Sequence, residues 1–170
     1  MTTPVAVLVG TPGSGKTSVG TALAARLDVA FRDTDADVES AEGMSIADIF
    51  IDHGEAHFRS LEREAVAAAL SEHDGVLALG GGAILDPSTR ALLIGHCVVW
   101  LRVGLAEAAA RVGLSTARPL LLGNVRATLL RLMQEREPLY REVASVEIDT
   151  DGRSVDSIVD ELVESLRAVR

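Results

Sequence analysis

Apolar residues fall along the chain in two rhythms. Five short runs, at 5–9, 29–31, 76–79, 98–101 and 146–148, are dominated by aliphatic and aromatic side chains, as in strands buried on both faces. Between them the apolar positions return every three or four residues, as on one side of a helix. Val19, Leu23 and Leu27 mark the first helix. A short one covers 37–41 and stops at Gly43. Ser45, with Asp48 three residues on, resembles a capping box that opens another at 46–50, which Gly54 ends. The stretch 55–70 has Phe58, Leu61, Ala65 and Ala69 as its candidate buried face, with Arg59 and Glu62 three apart beside it. Asp86 and Pro87 open a helix that Gly95 closes, and 105–112 is helical. Asn124 caps a helix over 125–137 that should end near Pro138, and 155–169 is an amphipathic helix.

Strands alternating with helices predict an α/β fold, a three-layer sandwich whose parallel sheet is covered on both faces, with ligands at the carboxyl ends of the strands. The 170 residues, 48% of them hydrophobic and 3% aromatic, suffice for one domain over 1–170 with an aliphatic core. Two stretches stand apart from the alternation. The helices between the second and third strands form an inserted lobe at about 33–62. The segment 113–123 loses its periodicity, and a loop of that length in a compact domain is usually functional, here a lid at about 113–124.

The first strand runs into Gly10-Thr11-Pro12-Gly13-Ser14-Gly15-Lys16-Thr17, which fits the phosphate-loop pattern Gly-x-x-x-x-Gly-Lys-Ser/Thr without a gap. Glycines let such a loop curl around an anion with its amide hydrogens inward, while the positive end of the next helix faces the same point. Lys16 can bridge the outer phosphates of a polyphosphate, and Thr17 offers a hydroxyl to Mg2+. Fifteen of the sixteen basic residues are arginine, so the one lysine stands where the motif requires it.

The net charge of −9 argues against a broad nucleic-acid or anionic-membrane surface, so any anionic ligand must be met by particular arginines. Cys97, alone in an apolar run, cannot form an intrachain disulfide and reads as a buried, inert thiol. That suits a reducing cytoplasm. The amino terminus lacks a basic segment before an apolar one, and no apolar run approaches the roughly 18 residues that span a bilayer. A soluble, unexported protein is expected.

Candidate chemistry follows the strands. Asp33 and Asp35, one residue apart in a segment taken as extended, would point the same way: one to hold Mg2+ through water, the other to accept a hydrogen bond or proton from an attacking hydroxyl. Gly80, Gly81 and Gly82 follow the third strand and allow backbone to reach a ligand. Arg59 and Arg136 are far apart in sequence, and only convergence on one pocket would make them an anion clamp. Arg118 is either a lid arginine over phosphates or an ordinary loop arginine. The histidines His53, His57, His73 and His96 show no metal-ligand spacing, and Trp100 reads as core.

In order, Gly-Thr-Pro-Gly-Ser-Gly-Lys-Thr (10–17), Asp-Thr-Asp (33–35), Phe-Arg-x-x-Glu (58–62), Gly-Gly-Gly (80–82), Arg-Pro-Leu-Leu (118–121) and Arg-x-Pro-Leu-Tyr (136–140) resemble the shikimate kinases. These are small phosphate-loop enzymes of the nucleoside-monophosphate-kinase-like fold, and the resemblance covers nearly the whole chain. It implies a five-stranded sheet in the order 2-3-1-4-5, usually a monomer, and transfer of the ATP γ-phosphoryl group to the 3-hydroxyl of shikimate on the route to chorismate. Carried over by position, Gly13, Ser14, Gly15, Lys16, Thr17 and Ser18 would bind ATP with Arg111 and Arg153 near the adenine, and Asp33 would be an outer-shell partner of Mg2+. Asp35 would orient and deprotonate the hydroxyl. Arg59 and Arg136 would grip the carboxylate, with Glu62 holding Arg59, Gly81 and its neighbours Gly80 and Gly82 at the ring hydroxyls, and Phe50 and Phe58 lining the pocket. Arg118 would close on the phosphates. Rivals on the same fold, kinases of nucleoside monophosphates or gluconate, would need another acceptor pocket. A GTP switch would need Asn-Lys-x-Asp, which a chain with Lys16 alone cannot supply.

Overall fold

The computed structural model describes residues 2–112 and 124–169. In chain order the elements are β1 (Ala6–Val9), α1 (Lys16–Leu27), β2 (Phe31–Asp33), α2 (Thr34–Glu42), α3 (Ile46–His53), α4 (Glu55–Glu72) and β3 (Val76–Ala78). A 3-10 turn (Ala83–Leu85), α5 (Pro87–Leu92), β4 (Val98–Arg102), α6 (Leu105–Val112), α7 (Val125–Val143), β5 (Val146–Asp149) and α8 (Val155–Val169) complete them. The strands form one parallel sheet in the order β2-β3-β1-β4-β5, with Ala78 of β3 opposite both Leu8 of β1 and Asp33 of β2. The carboxyl ends of these three strands therefore lie level, and the loops that leave them share one edge.

The central strand alternates its side chains between two cores. Ala6 and Leu8 face α1 and α8, where Val19, Leu23, Ile158 and Leu162 are buried. Val7 and Val9 face the other layer, against Val66 and Ala69 of α4, Trp100 of β4 and Tyr140 of α7. Fully buried Leu and Val side chains contribute about 1.5–3 kcal/mol each, so a core this aliphatic needs few aromatics. A smaller cluster of Val38, Ile49 and Phe58 ties α2, α3 and α4 together between β2 and β3. Ser45 accepts the Asp48 amide at the start of α3, and Asp86 caps α5 with Pro87 in its first turn. Among the described residues no helix is long and apolar enough to cross a membrane.

Four local expectations are corrected. The second strand is Phe31–Asp33, two residues later than the apolar run at 29–31. Asp28 takes a left-handed conformation at φ 55 and Val29 donates back to Ala24, so Val29 closes the turn after α1 instead of starting a strand. The short helix expected at 37–41 also moves: α2 starts at Thr34, because the Asp33 side chain accepts the Asp35 amide and acts as its cap. Asp33 and Asp35 thus do not share an extended segment. Helix α7 runs through Pro138 to Val143. Proline there removes one backbone donor, but buried Tyr140 beyond it holds the last turns to the core. Cys97 is half-buried at the margin of the first core, not fully inside.

Candidate active site

The phosphate loop is shaped by two left-handed glycines, Gly13 at φ 81 and Gly15 at φ 89, where any other residue would be strained. The Ser14 amide donates to Thr11 O at 3.1 Å, which closes the turn, and α1 begins at Lys16 directly behind Gly15. Lys16 Nζ lies over the loop, donating to Gly10 O at 2.6 Å and Thr11 O at 3.2 Å. Thr17 and Ser18 are exposed in the first turn of α1. Arg111 of α6 reaches the same loop, donating to Gly13 O at 2.9 Å while pairing with Glu107 at 2.8 Å. Arg153 is occupied differently, since its guanidinium donates to Asp149 O, to Ser157 and to Glu161 and so is turned onto α8. Its loop still meets α6, because Glu107 accepts the Gly152 amide.

The triple-glycine turn after β3 brings the other candidates together, each against a different glycine. A methyl group added at Gly80 would stand 2.6 Å from Asp35 Oδ1 and 2.8 Å from Glu62 Oε2. One at Gly81 would meet Pro12 of the phosphate loop at 3.1 Å and Arg136 Nη1 at 3.4 Å. One at Gly82 would meet Arg59 Nη2 at 2.5 Å. Side chains from α2, α4 and α7 therefore converge on one stretch of bare backbone beside the phosphate loop. The absence of Cβ atoms there makes the room they occupy.

The charges are unevenly compensated. Arg59 Nη1 pairs with Glu62 at 2.8 Å and Nη2 with the exposed Glu55 at 3.4 Å. Arg136 is only 3% exposed, and among the described residues no carboxylate forms an ion pair with it. A buried guanidinium without a contacting counter-ion favours an incoming anion. Burial pushes the Glu62 carboxyl above its usual range, against the pull of Arg59 and then of Arg136. Phe58, 4% exposed, and half-buried Phe50 meet at 5.0 Å between ring centres, and the Arg59 guanidinium lies 5.3 Å over the Phe58 ring.

Asp33 sits at the carboxyl end of β2, one Oδ holding the Asp35 amide at 2.9 Å. Its other oxygen takes no hydrogen bond from a described residue. A carboxylate and a threonine hydroxyl are hard oxygen donors of the kind Mg2+ prefers. Arg118, with the expected lid, lies outside the described residues.

Sequence reasoning gave no role to Tyr140. Its hydroxyl donates to Gly81 O at 2.5 Å, and its ring stacks on Trp100 at 5.8 Å. The signal was available in the spacing, since Tyr140 stands four residues, one helical turn, after Arg136. Ending the helix at Pro138 concealed it.

A family model described as shikimate kinase matches residues 12–167. A shikimate kinase of Saccharopolyspora erythraea is 60% identical over 168 residues, covering 98% of this chain and 96% of its own. The solved structure of an Acinetobacter baumannii shikimate kinase in complex with shikimate superposes with a TM-score of 0.95 at 33% identity, covering 100% of this chain and 96% of that one. A gluconokinase structure from Sinorhizobium meliloti, at 22% identity and a TM-score of 0.60 over 96% of this chain and 91% of that one, shares the fold alone.

Proposed function

The chain belongs to the shikimate kinase family, and from that membership we propose how its residues divide the work of moving the ATP γ-phosphoryl group to the 3-hydroxyl of shikimate. The single observation that carries the assignment is the meeting of Asp35, Glu62, Arg136 and Arg59 on Gly80, Gly81 and Gly82, against Pro12 of the phosphate loop. A proton acceptor, two guanidinium groups and a phosphate site lie within one small anion's reach of each other.

ATP lies along Gly13 to Ser18, its phosphates held by the loop amides, by the positive end of α1 and by Lys16, which leaves Gly10 O to reach them. Arg111, already on the loop, and Arg153 flank the adenine. The Thr17 hydroxyl and the Asp33 carboxylate would hold Mg2+, which would offset the negative charge of the phosphates. Arg136 and Arg59 grip the shikimate carboxylate, with Glu62 fixing the second guanidinium. The Gly81 backbone meets a ring hydroxyl, and Phe50 and Phe58 cover the ring. Asp35 orients the 3-hydroxyl and takes its proton as its oxygen bonds to the γ-phosphorus and the bond to the bridging oxygen of ADP breaks. Arg118 and the lid close on the phosphates and exclude water. The protein acts as a soluble cytoplasmic monomer.

ADP release from Mg-ATP tests the substrate directly. Release is expected to depend on shikimate, with the 3-phosphate formed in step, and to be far slower with quinate, gluconate or nucleoside monophosphates. Equal release with gluconate would transfer the acceptor site to that rival.

Glu62 supplies a pH signature. Its raised carboxyl means that burying the ionised form opposes folding: the contribution to stability is present at acid pH and is lost as pH rises through the folded value. The clamp favours the opposite state, because the anion holds Arg59 more strongly than the neutral carboxyl does. The KM for shikimate is therefore expected to rise as pH falls through that value, which lies above the ordinary 4.5, without loss of stability from Glu62 itself. Glu62→Gln should show a KM roughly tenfold higher and no such acid limb, the effect of one charge-assisted hydrogen bond. An acid limb that persists in Glu62→Gln belongs to another group.

A further inference from the structure

Tyr140 is 1% exposed, and a phenol buried so deeply needs a hydrogen-bond partner. Its partner is the Gly81 carbonyl, the middle peptide of the turn on which the acceptor site is built. The ring is fixed from below by Trp100, stacked at 26° between planes; Trp100 is 5% exposed and registers with Val9, the residue before the phosphate loop. With Thr11, the same two rings line a small cleft under the loop. Arg136, one turn earlier on α7, also reaches Gly81, where an added methyl group would meet its Nη1 at 3.4 Å. Tyr140 is thus where α7, β4 and the glycine turn are joined.

We propose that Tyr140 is a positioning residue for the acceptor site: its hydroxyl holds the Gly81 carbonyl so that the triple-glycine turn and Arg136 keep a fixed mutual height. This rests on the assignment of Arg136 and Gly81 to shikimate made above. Without the hydroxyl, the Gly81 carbonyl loses this partner, and the turn is left to the bonds that the Ala83 amide gives Gly80 O and the Leu85 amide gives Gly82 O, at 3.1 Å each, with Asp35 and Arg59 close beside those two glycines. Those bonds take Gly80 O and Gly82 O, and the Gly81 carbonyl between them is held by Tyr140 from α7. Burial pushes the phenol up to about 12, against the pull of Arg136, so it remains a donor throughout the range in which the enzyme can be assayed.

Tyr140→Phe keeps the ring and its stacking and removes the hydroxyl, and with it both the bond to Gly81 O and the interaction with Arg136. The KM for shikimate is expected to rise about tenfold, the worth of one buried hydrogen bond, while the KM for ATP stays at the parental value. Trp100→Phe, which loosens the packing under the ring but leaves the hydroxyl in place, should lower the melting temperature and move the KM for shikimate less than Tyr140→Phe does. A purely structural role predicts the reverse: both variants lose stability and neither shifts the shikimate KM selectively, which would overturn the proposal. Arg136→Lys, run alongside, separates the two levels. If it also binds shikimate like the parent, the clamp assignment itself fails; if it weakens binding while Tyr140→Phe does not, only the role of Tyr140 fails.

Should Tyr140→Phe be too unstable to assay, the chain has a single tyrosine, so fluorotyrosine incorporation labels this position alone. Its fluorine resonance should move on shikimate addition and saturate at the kinetic KM. A resonance indifferent to shikimate overturns the proposal.

Discussion

Asp35→Asn is expected to lower turnover with shikimate by about 10²–10⁴, the range that a positioned proton acceptor contributes, while ATP binds as in the parent. The substitution is nearly isosteric. The side chain packs against Gly80, and its amide is held by Asp33 at 2.9 Å, so both the helix start and the glycine contact survive. What is lost is the charge and the ability to take a proton. Asp35 lies in the first turn of α2, and the cap of that helix fixes its backbone. Phosphoryl transfer through a loose transition state asks little of the nucleophile until late in the step. The size of the loss therefore decides between two roles. A fall near a hundredfold assigns Asp35 mainly to orienting the hydroxyl, which asparagine does in part; a fall near ten thousandfold assigns it to proton removal. Single-turnover rates at saturating ATP and shikimate measure it, and turnover at the parental rate would remove Asp35 from the mechanism.

The two halves of the site were not equally legible in the sequence. The phosphate loop is local: its glycines, its lysine and the strand and helix around it are contiguous, and the backbone conformations they dictate are those found, with Gly13 and Gly15 left-handed. The caps at Ser45 and Asp86 are local too, one side chain bonding an amide two or three residues on. The acceptor site is not local. Arg59, Glu62, Arg136 and Asp35 come from three helices, and nothing in their spacing says which glycine each one meets. The sequence motif supplied the set, and the sheet order supplies the meeting place, since β1, β2 and β3 end level beside one another.

Local rules misled where tertiary contacts outweighed them. An apolar run suggested a strand at 29–31, but pairing with β3 begins only at Phe31, opposite Val76, and continues through the polar Arg32 and Asp33. Strand propensity is weak at a sheet edge, where the ladder and the partner's register decide. Pro138 suggested a helix end because it costs about 3 kcal/mol in a helix interior. Tyr140 packed on Trp100 and bonded to Gly81, with Leu139 and Val143 against the same core, recovers that cost. Only the second bears on the site: the extended helix is what carries Tyr140 to the glycine turn.

Arg136→Ala is expected to weaken shikimate binding by about 3 kcal/mol, roughly a hundredfold in Kd, within the range for removing one partner of a desolvated charge pair. Arg136 is the more buried of the two candidate guanidinium groups and has no contacting carboxylate among the described residues. Its charge is therefore compensated best when the substrate is bound. The free protein should suffer much less than the complex. Glu62 interacts with this cation without contacting it, so removing the guanidinium relieves part of a desolvation penalty, which offsets the packing lost with the side chain. Thermal unfolding separates the two states. At a shikimate concentration one hundred times the parental Kd, the ligand stabilises the parent by about 2.7 kcal/mol; a hundredfold weaker Kd leaves about 0.4 kcal/mol. The variant should thus melt near the parent without shikimate and fail to follow it upward when shikimate is added. ATP should protect both proteins alike, since Arg136 reaches Gly81 and not the nucleotide side of the loop. Arg136→Lys should fall between, keeping the charge but losing the paired donors that match a carboxylate. Parental protection by shikimate in Arg136→Ala would place the substrate carboxylate elsewhere.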